Sequence, residues 1–458
     1  MRPFIIEIDI QKENCPVTYQ INRTHHAEHI EYEVLCGDSL NAEYELFNGD
    51  FIHTFKHPGK YRISFRGNLP GLFLKDTADY HLLDVCQWGD ICWRNMNKMF
   101  SGCACFNISA GDHPDLSKVT SLEKMFEDAR CLNAPLDNWD VSNITNMSEM
   151  FANAELFNQP LEKWNVSNVK DMSAMFYRAK AFNQPLQNWN VSNVTDMRAM
   201  FYCAKAFNHP LGNWDVSHVT DMRWMFCGAE SFNQPLENWN ISNVTEIAHM
   251  FSLASVFNQP LEKWDVSNIK DMSDMFAAAE TFNQPLQNWD VSNVKDMNHM
   301  FYAATSFNQP LQKWDVSKVK DMSAMFCAAR SFNQPLQNWN VTNVKDMSWM
   351  FFCADAFNQP LDNWDVANVI NMYGMFEDAK SFNQPLQNWV VSNVTDMRSM
   401  FKNAKSFNQP LENWDVSNVE EMAFIFAGSG MNNPSWVKES EEIGEYDDDE
   451  EEDCDEDE

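Results

Sequence analysis

Glycine is scarce in this sequence, at 14 of 458 residues. No phosphate-cradling glycine loop is present, nor the glycine-rich loop of calcium-binding β-rolls. Basic side chains are also few: 33 Lys and Arg stand against 66 Asp and Glu, a formal net charge of -33. That balance excludes a nucleic-acid partner gripped through its phosphates. No run approaches the roughly 18 to 20 apolar residues of a membrane-crossing helix, so no membrane insertion is expected. The opening MRPFIIEIDI meets charge too soon to be a signal-peptide core, and the resulting expectation is an intracellular or virion location. None of the twelve cysteines forms a CxxC pair, and dispersed thiols in so long a chain are predicted to be free and mostly buried.

Apolar material is plentiful, with 44% hydrophobic residues, 17 Trp, 34 Phe and 27 Met, enough for a packed interior. Its distribution is periodic. From Trp139 a unit close to WDVSNVTDMSxMFxxAxxFNQPLxN recurs every 25 residues, marked by twelve tryptophans from Trp139 to Trp414 without insertion or deletion. Two weaker units precede it, around Trp88 and around Leu116, giving about fourteen. Strict spacing implies that each unit builds one turn of a stacked array.

Within a unit, Leu161, Trp164 and Val166 follow L-x-x-L-x-L spacing and predict a short strand. Val169, Met172, Met175, Phe176, Ala179 and Phe182 then fall at offsets 0, 3, 6, 7, 10 and 13, the stripe of an amphipathic helix, ended by Asn183, Gln184 and Pro185. The predicted fold class is α/β: a right-handed solenoid of about fourteen strand-helix turns, a curved rod roughly 65 Å long at the usual strand spacing. The predicted domains are a small β-rich region at 1–80, supported by the alternation of Tyr61, Ile63 and Phe65, degenerate repeats at 81–138, regular repeats at 139–436 and an acidic tail at 437–458. The tail holds 15 carboxylates and no Lys or Arg from Glu439 onward, a density that predicts disorder.

The motif LxxWxVSNVTDMSxMFxxAxxFNQPL resembles the BspA-type leucine-rich repeats of bacterial surface proteins, mycoplasmas, protists and giant viruses, over about 350 residues from Gln87 to Trp436. FIHTFKHPGKYRISFR, at 51–66, is similar to the end of small β-sandwich domains that precede such arrays. The resemblance implies a leucine-rich-repeat-like solenoid used for binding or adhesion, with no catalytic residues.

Polar ladders run through the array. One follows each Trp, from Asp140 and Asn165 to Asp415, with Val390 breaking the row; another comprises Asn143, Asn168, Asn193 and their equivalents. Repetition in every turn points to turn architecture. Recognition needs differences, and the most variable column precedes the second Met of each unit: Glu149, Ala174, Ala199, Trp224, His249, Asp274, His299, Ala324, Trp349, Gly374, Ser399 and Phe424. On a helical wheel it points away from the core, so Trp224, His249, His299, Trp349 and Phe424 are the candidate partner-binding residues. No HExxH or other catalytic or metal constellation is legible, and no cofactor is called for. The expectation is a non-catalytic repeat scaffold for protein–protein interaction, with a surface adhesin for host protein or carbohydrate as the alternative.

Overall fold

The computed structural model describes residues 1–23, 30–38 and 42–437, so the acidic stretch from residue 438 on lies outside the described residues. The chain divides into two units, Met1–Gln234 and Pro235–Glu458.

The first unit opens with strands in which alternate residues are buried. β1 (Phe4–Ile10) buries Phe4, Ile6, Ile8 and Ile10, and β2 (Cys15–Ile21) buries Cys15, Val17, Tyr19 and Ile21. This period of two is that of strands packed on one face. β3 (Glu31–Cys36), β4 (Glu45–Phe47), β5 (Phe51–Phe55), β6 (Gly59–Asn68), β7 (Leu72–Phe73), β8 (Tyr80–Gln87) and β9 (Asn107–Ile108) complete two sheets, ordered β4-β3-β6-β1-β8-β9 and β5-β2-β7. Ile63 and Phe65 of β6 are fully buried against β1 and β3. β9 pairs in parallel with β8 and carries the sheet toward the first repeats.

The repeats are not strand-helix turns. Among the described residues there is no helix, and the rungs themselves carry turns and single bridges rather than strands. The predicted strand at Leu161–Val166 is a turn closed by Trp164 N–H on the Leu161 carbonyl, and the helical stripe is a string of further turns. Met175 N–H closes on Met172, Ala179 on Phe176 and Phe182 on Ala179, at 3.0 to 3.2 Å. A β-turn returns the chain so that its first and fourth residues can share a side. An offset of three therefore marks a turn closure here, where it had been read as a helical face.

Alternate amides point out of the rung plane. In the rung around Phe301, the N–H groups of Met297, His299, Phe301 and Ala303 donate to Asp321, Ser323, Met325 and Cys327 of the next rung. The intervening Met300, Tyr302 and Ala304 close turns within their own rung. These amides thus find acceptors without helix or extended ladder. Parallel bridges link Ser121, Asn146, Asp171, Asp196 and Asp221 in the first unit, and Asp271, Asp296, Asp321, Asp346, Asn371, Asp396 and Glu421 in the second.

The core is as periodic as the sequence. Trp264 and Trp289 are 3% and 4% exposed, and each indole N–H donates to the leucine carbonyl of the preceding rung, Trp289 to Leu261 and Trp264 to Leu236, at 3.0 Å. Phenylalanines stack face to face from rung to rung, as Phe276, Phe301 and Phe326 do at 5.7 Å. The alanine column, Ala279 and Ala304 among its members, is fully buried. The asparagine ladder also joins rungs, Asn293 Nδ2 donating to Ser267 O, and so does the separate row of asparagines after Phe307 and Phe332, where Asn308 Oδ1 accepts both Asn333 N–H and Gln334 Nε2.

One cysteine prediction is corrected. Cys105 and Cys131 are both exposed and joined in a disulfide, with Cα atoms 4.7 Å apart. They occupy equivalent positions in adjacent rungs, five residues after the stacked Phe100 and Phe126, and rung spacing meets the reach of the bond. Of the nine described cysteines outside the disulfide, Cys15, Cys103, Cys227 and Cys327 are buried and Cys92 is exposed.

Candidate functional site

The variable column has a backbone signature. From Glu149 (φ 55°) through Ala174, Ala199, Trp224 (φ 56°), His249 (φ 60°), Asp274, His299 (φ 53°), Ala324, Trp349 (φ 52°), Gly374 and Ser399 to Phe424 (φ 57°), every member sits in the left-handed region. A second such column lies four residues on, including Asn153, Arg178, Cys203, Gly228, Leu253, Ala278, Ala303, Ala328, Cys353, Asp378, Asn403 and Gly428. Each is the third residue of a turn of type II pattern, where positive φ is obligatory. Neither column contains Val, Ile or Thr, the residues for which this conformation is least tolerable. The column is therefore variable within a rule. It excludes β-branched side chains and accepts almost anything else.

In the first unit this geometry builds an open groove of about 480 Å³. Its floor is Ala174 and Ala199, one end is Glu149 and the other Trp224, and its walls are Tyr177, Tyr202 and Arg198. Small left-handed residues in two consecutive rungs leave the space, and the residue after each core Phe supplies the tyrosines. Tyr177 and Tyr202 stack at 4.7 Å with planes 10° apart, and the Arg178 guanidinium lies 5.3 Å from the Tyr177 ring centre. Burial against Cys227, Cys203 and Tyr177 pushes the Tyr202 phenol above its ordinary pKa, so it stays protonated and can donate a hydrogen bond.

The second unit carries the other four predicted residues. Trp349 is 39% exposed, packs at 4.8 Å on Tyr373 and covers the open side of Gly374, where a Cβ would meet its indole at 2.5 Å. Arg398 lies 4.9 Å from the far ring of that pair, Tyr373. His249 and His299 are half-buried on either side of Asp274; His249 Nδ1 stands 3.7 Å from an Asp274 oxygen, and His299 packs on Tyr302 at 5.7 Å. Burial raises the Asp274 carboxyl pKa, and the two imidazoles oppose that shift. Phe424 is half-buried beside a depression formed with Met431 and Val437. The helical wheel that placed all five residues outside does not apply, and Trp349 alone among them is classed as exposed.

Sequence reasoning missed Tyr177, Tyr202, Arg198 and Tyr373, which stand beside the variable column in neighbouring rungs. The detectable signal was a pair of tyrosines 25 residues apart, Tyr177 and Tyr202, in a column that otherwise holds Tyr302 and Ala, Ser, Cys, Phe, Glu and Lys.

The polar ladders are accounted for by turn geometry. Asp140, Asp215, Asp265, Asp315 and Asp415 each accept the backbone N–H two residues on, and hydrogen bonds from the following serine hold their carboxyls below the usual range. The bridge-column carboxylates cap in the same way, but burial and their stacked neighbours raise Asp196 and Asp296. No group of three or more His, Cys, Asp or Glu gathers as a metal site among the described residues. Burial pushes the Cys36 thiol up to about 12 and Cys86 to about 11. Neither is a thiolate at neutral pH. Among the described residues no helix is long and apolar enough to cross a membrane.

A family model described as "Mycoplasma protein of unknown function, DUF285" matches four times, at residues 94–212, 184–284, 257–355 and 335–438. The matches span both units and cover the repeats from the first degenerate one. No curated protein and no solved structure matches the chain.

Proposed function

The chain belongs to the DUF285 family, and from that premise we propose that it is a non-catalytic repeat scaffold that holds a protein partner on its left-handed columns. The observation that carries this reading is the division of labour within each rung. Trp, Met, Phe, Ala and Asn positions are spent on stacking, while one left-handed backbone position holds Glu, Ala, Trp, His, Asp, Gly, Ser or Phe within the same frame. Where aromatics fill that position they sit beside others, as Trp349 does on Tyr373 and Trp224 beside the Tyr177–Tyr202 pair. Clusters of Trp, Tyr and Arg are the composition of binding hot spots.

The test is affinity capture followed by mass spectrometry with the full chain, a chain lacking residues 438–458, and the variants Trp224→Ala and Trp349→Ala. Each tryptophan variant is expected to keep its circular dichroism and melting temperature while losing a captured partner. Unchanged capture by both, or a collapsed fold in either, defeats the reading.

A second reading, a surface adhesin that binds host protein or carbohydrate, is favoured by the Cys105–Cys131 disulfide, since such bonds persist in oxidising surroundings. The likeness of the repeat to BspA-type surface proteins supports it as well. The nine described cysteines outside the disulfide favour a reducing interior. Trapping the thiols of the native protein at harvest separates the two: a reduced Cys105 in freshly lysed cells sinks the adhesin.

A further inference from the structure

The groove in the first unit differs in charge from the rest of the molecule. Arginines one residue before the left-handed column elsewhere fold back on the bridge carboxylate of their own rung: Arg223 grips Asp221, and Arg398 grips Asp396 with Nη2 at 2.7 Å. Arg198 occupies the same position above Asp196, yet only its backbone N–H engages that carboxylate, and its exposed guanidinium makes no ion pair among the described residues. Arg178, exposed and lying over Tyr177, makes none either. The one carboxylate at the groove, Glu149, is already held by Lys124 at 2.8 Å. The groove lining therefore carries one guanidinium outside any ion pair, Arg198, whose charge acts on Asp196 below it, and a second, Arg178, stands beside the lining over Tyr177, in a chain of net charge -33.

Its apolar parts narrow the ligand further. Tyr177 and Tyr202 cover one face of each other and Arg178 lies over Tyr177, so Tyr177 offers an edge and a hydroxyl rather than an open face. The open apolar surface is the alanine floor ending at Trp224. From Glu149 to Trp224 is three rung steps, about 14 Å at the usual strand spacing, which about four extended residues would span.

We propose that this groove binds an acidic peptide segment of a protein partner with an aromatic side chain at its centre. The aromatic ring lies on the alanine floor against Trp224, and the flanking carboxylates meet Arg178 and Arg198, whose planar guanidinium groups suit bidentate pairing with carboxylates. This deepens the scaffold reading above and rests on it.

The test is fluorescence anisotropy of a fluorescein-labelled peptide, EEDYDEE, titrated with the full-length protein. Saturable binding is expected, weakened at least about tenfold by Arg198→Ala, reversed in part by Arg198→Lys, and lost with Arg178→Ala combined with Arg198→Ala. Trp224→Ala and the peptide EEDADEE should each cost a similar factor, while Arg62→Ala, whose guanidinium is already paired with Glu7, should leave binding unchanged. Because Arg178 and Arg198 are exposed, loss of binding in these variants with an unaltered melting temperature reports the groove and not the fold. Equal affinity across all variants, equal affinity for the peptide without its tyrosine, or sensitivity to Arg198 shown by sulfated oligosaccharide and not by peptide overturns the proposal. If the peptide fails while Trp224→Ala still loses a captured partner, the acidic-peptide inference falls and the scaffold reading stands. If Trp224→Ala and Trp349→Ala change neither, both fall.

Discussion

Alanine and glycine should exchange their usual ranks in the left-handed columns. At Ala278 (φ 51°), a helix would give a stability order of Ala, then Val, then Gly, with glycine about 1 kcal/mol below alanine. In a turn of type II pattern, Ala278→Gly is expected to melt at or above the parent, and Ala278→Val lower by a shift worth about 1 to 2 kcal/mol. The reverse order by thermal denaturation would restore the helix. Charge at the bridge column gives a second residue-level prediction. Burial raises the Asp296 pKa in the folded chain, so its ionised form is disfavoured by folding. The cost is present at neutral pH and disappears as pH falls through that raised pKa. Asp296→Asn is therefore expected to raise the melting temperature at pH 7 and to converge with the parent at acid pH, keeping the cap on Asn298 N–H. Asn146 and Asn371 already hold equivalent positions. The carboxyls lowered by serine, such as Asp265 and Asp315, act in the opposite sense: their support is complete above the unfolded pKa and lost as pH falls through the folded one.

At the scale of the element, the far-ultraviolet circular dichroism of the full chain should lack the helical double minimum, and a clear helical spectrum would contradict the turn architecture. The sequence made the frame and the core legible. Trp264, Met272, Phe276 and Ala279 are buried as their spacing demanded, because a repeat without slippage admits only one register. It did not make the backbone legible. Offsets of 0, 3, 6, 7, 10 and 13 are shared by a helix face and by a chain of turns whose ends point inward, and hydrophobicity cannot separate them. The exclusion of β-branched residues from the positions of Ala174 and Arg178 could have done so. Of the groove, Trp224 was legible as an aromatic in a variable column, whereas Tyr177 and Arg198 acquire meaning only once neighbouring rungs are laid side by side. The disulfide also belongs to this scale: it closes a separation of 26 residues, for which chain-entropy reasoning gives about 3.5 kcal/mol. Cys105→Ser with Cys131→Ser should lower the melting temperature of the protein under oxidising conditions and have no effect under reducing ones.

For the molecule as a whole, the unit of construction is the rung. In the second unit, deleting residues 290–314 joins Trp289 to Asp315, so the following residues meet partners of the same kind they had before. A cooperative melt with a small change in midpoint is expected. Deleting residues 290–301 shifts the register, setting Tyr302 where the first unit's equivalents place a polar or small residue after Trp, and should abolish cooperative unfolding by calorimetry. Two comparable transitions would show that periodicity is dispensable.

The hydrogen bonds that run from one rung to the next have identical donors and acceptors along each unit, so one copy of the motif is structurally interchangeable with its neighbour. A gene of this kind can gain or lose whole cassettes by unequal crossover without producing a misfolded intermediate. The array's length is thereby left free to drift, while the few cassettes that carry Tyr177, Arg198 and Trp224 in succession cannot be shuffled without dismantling what they jointly form.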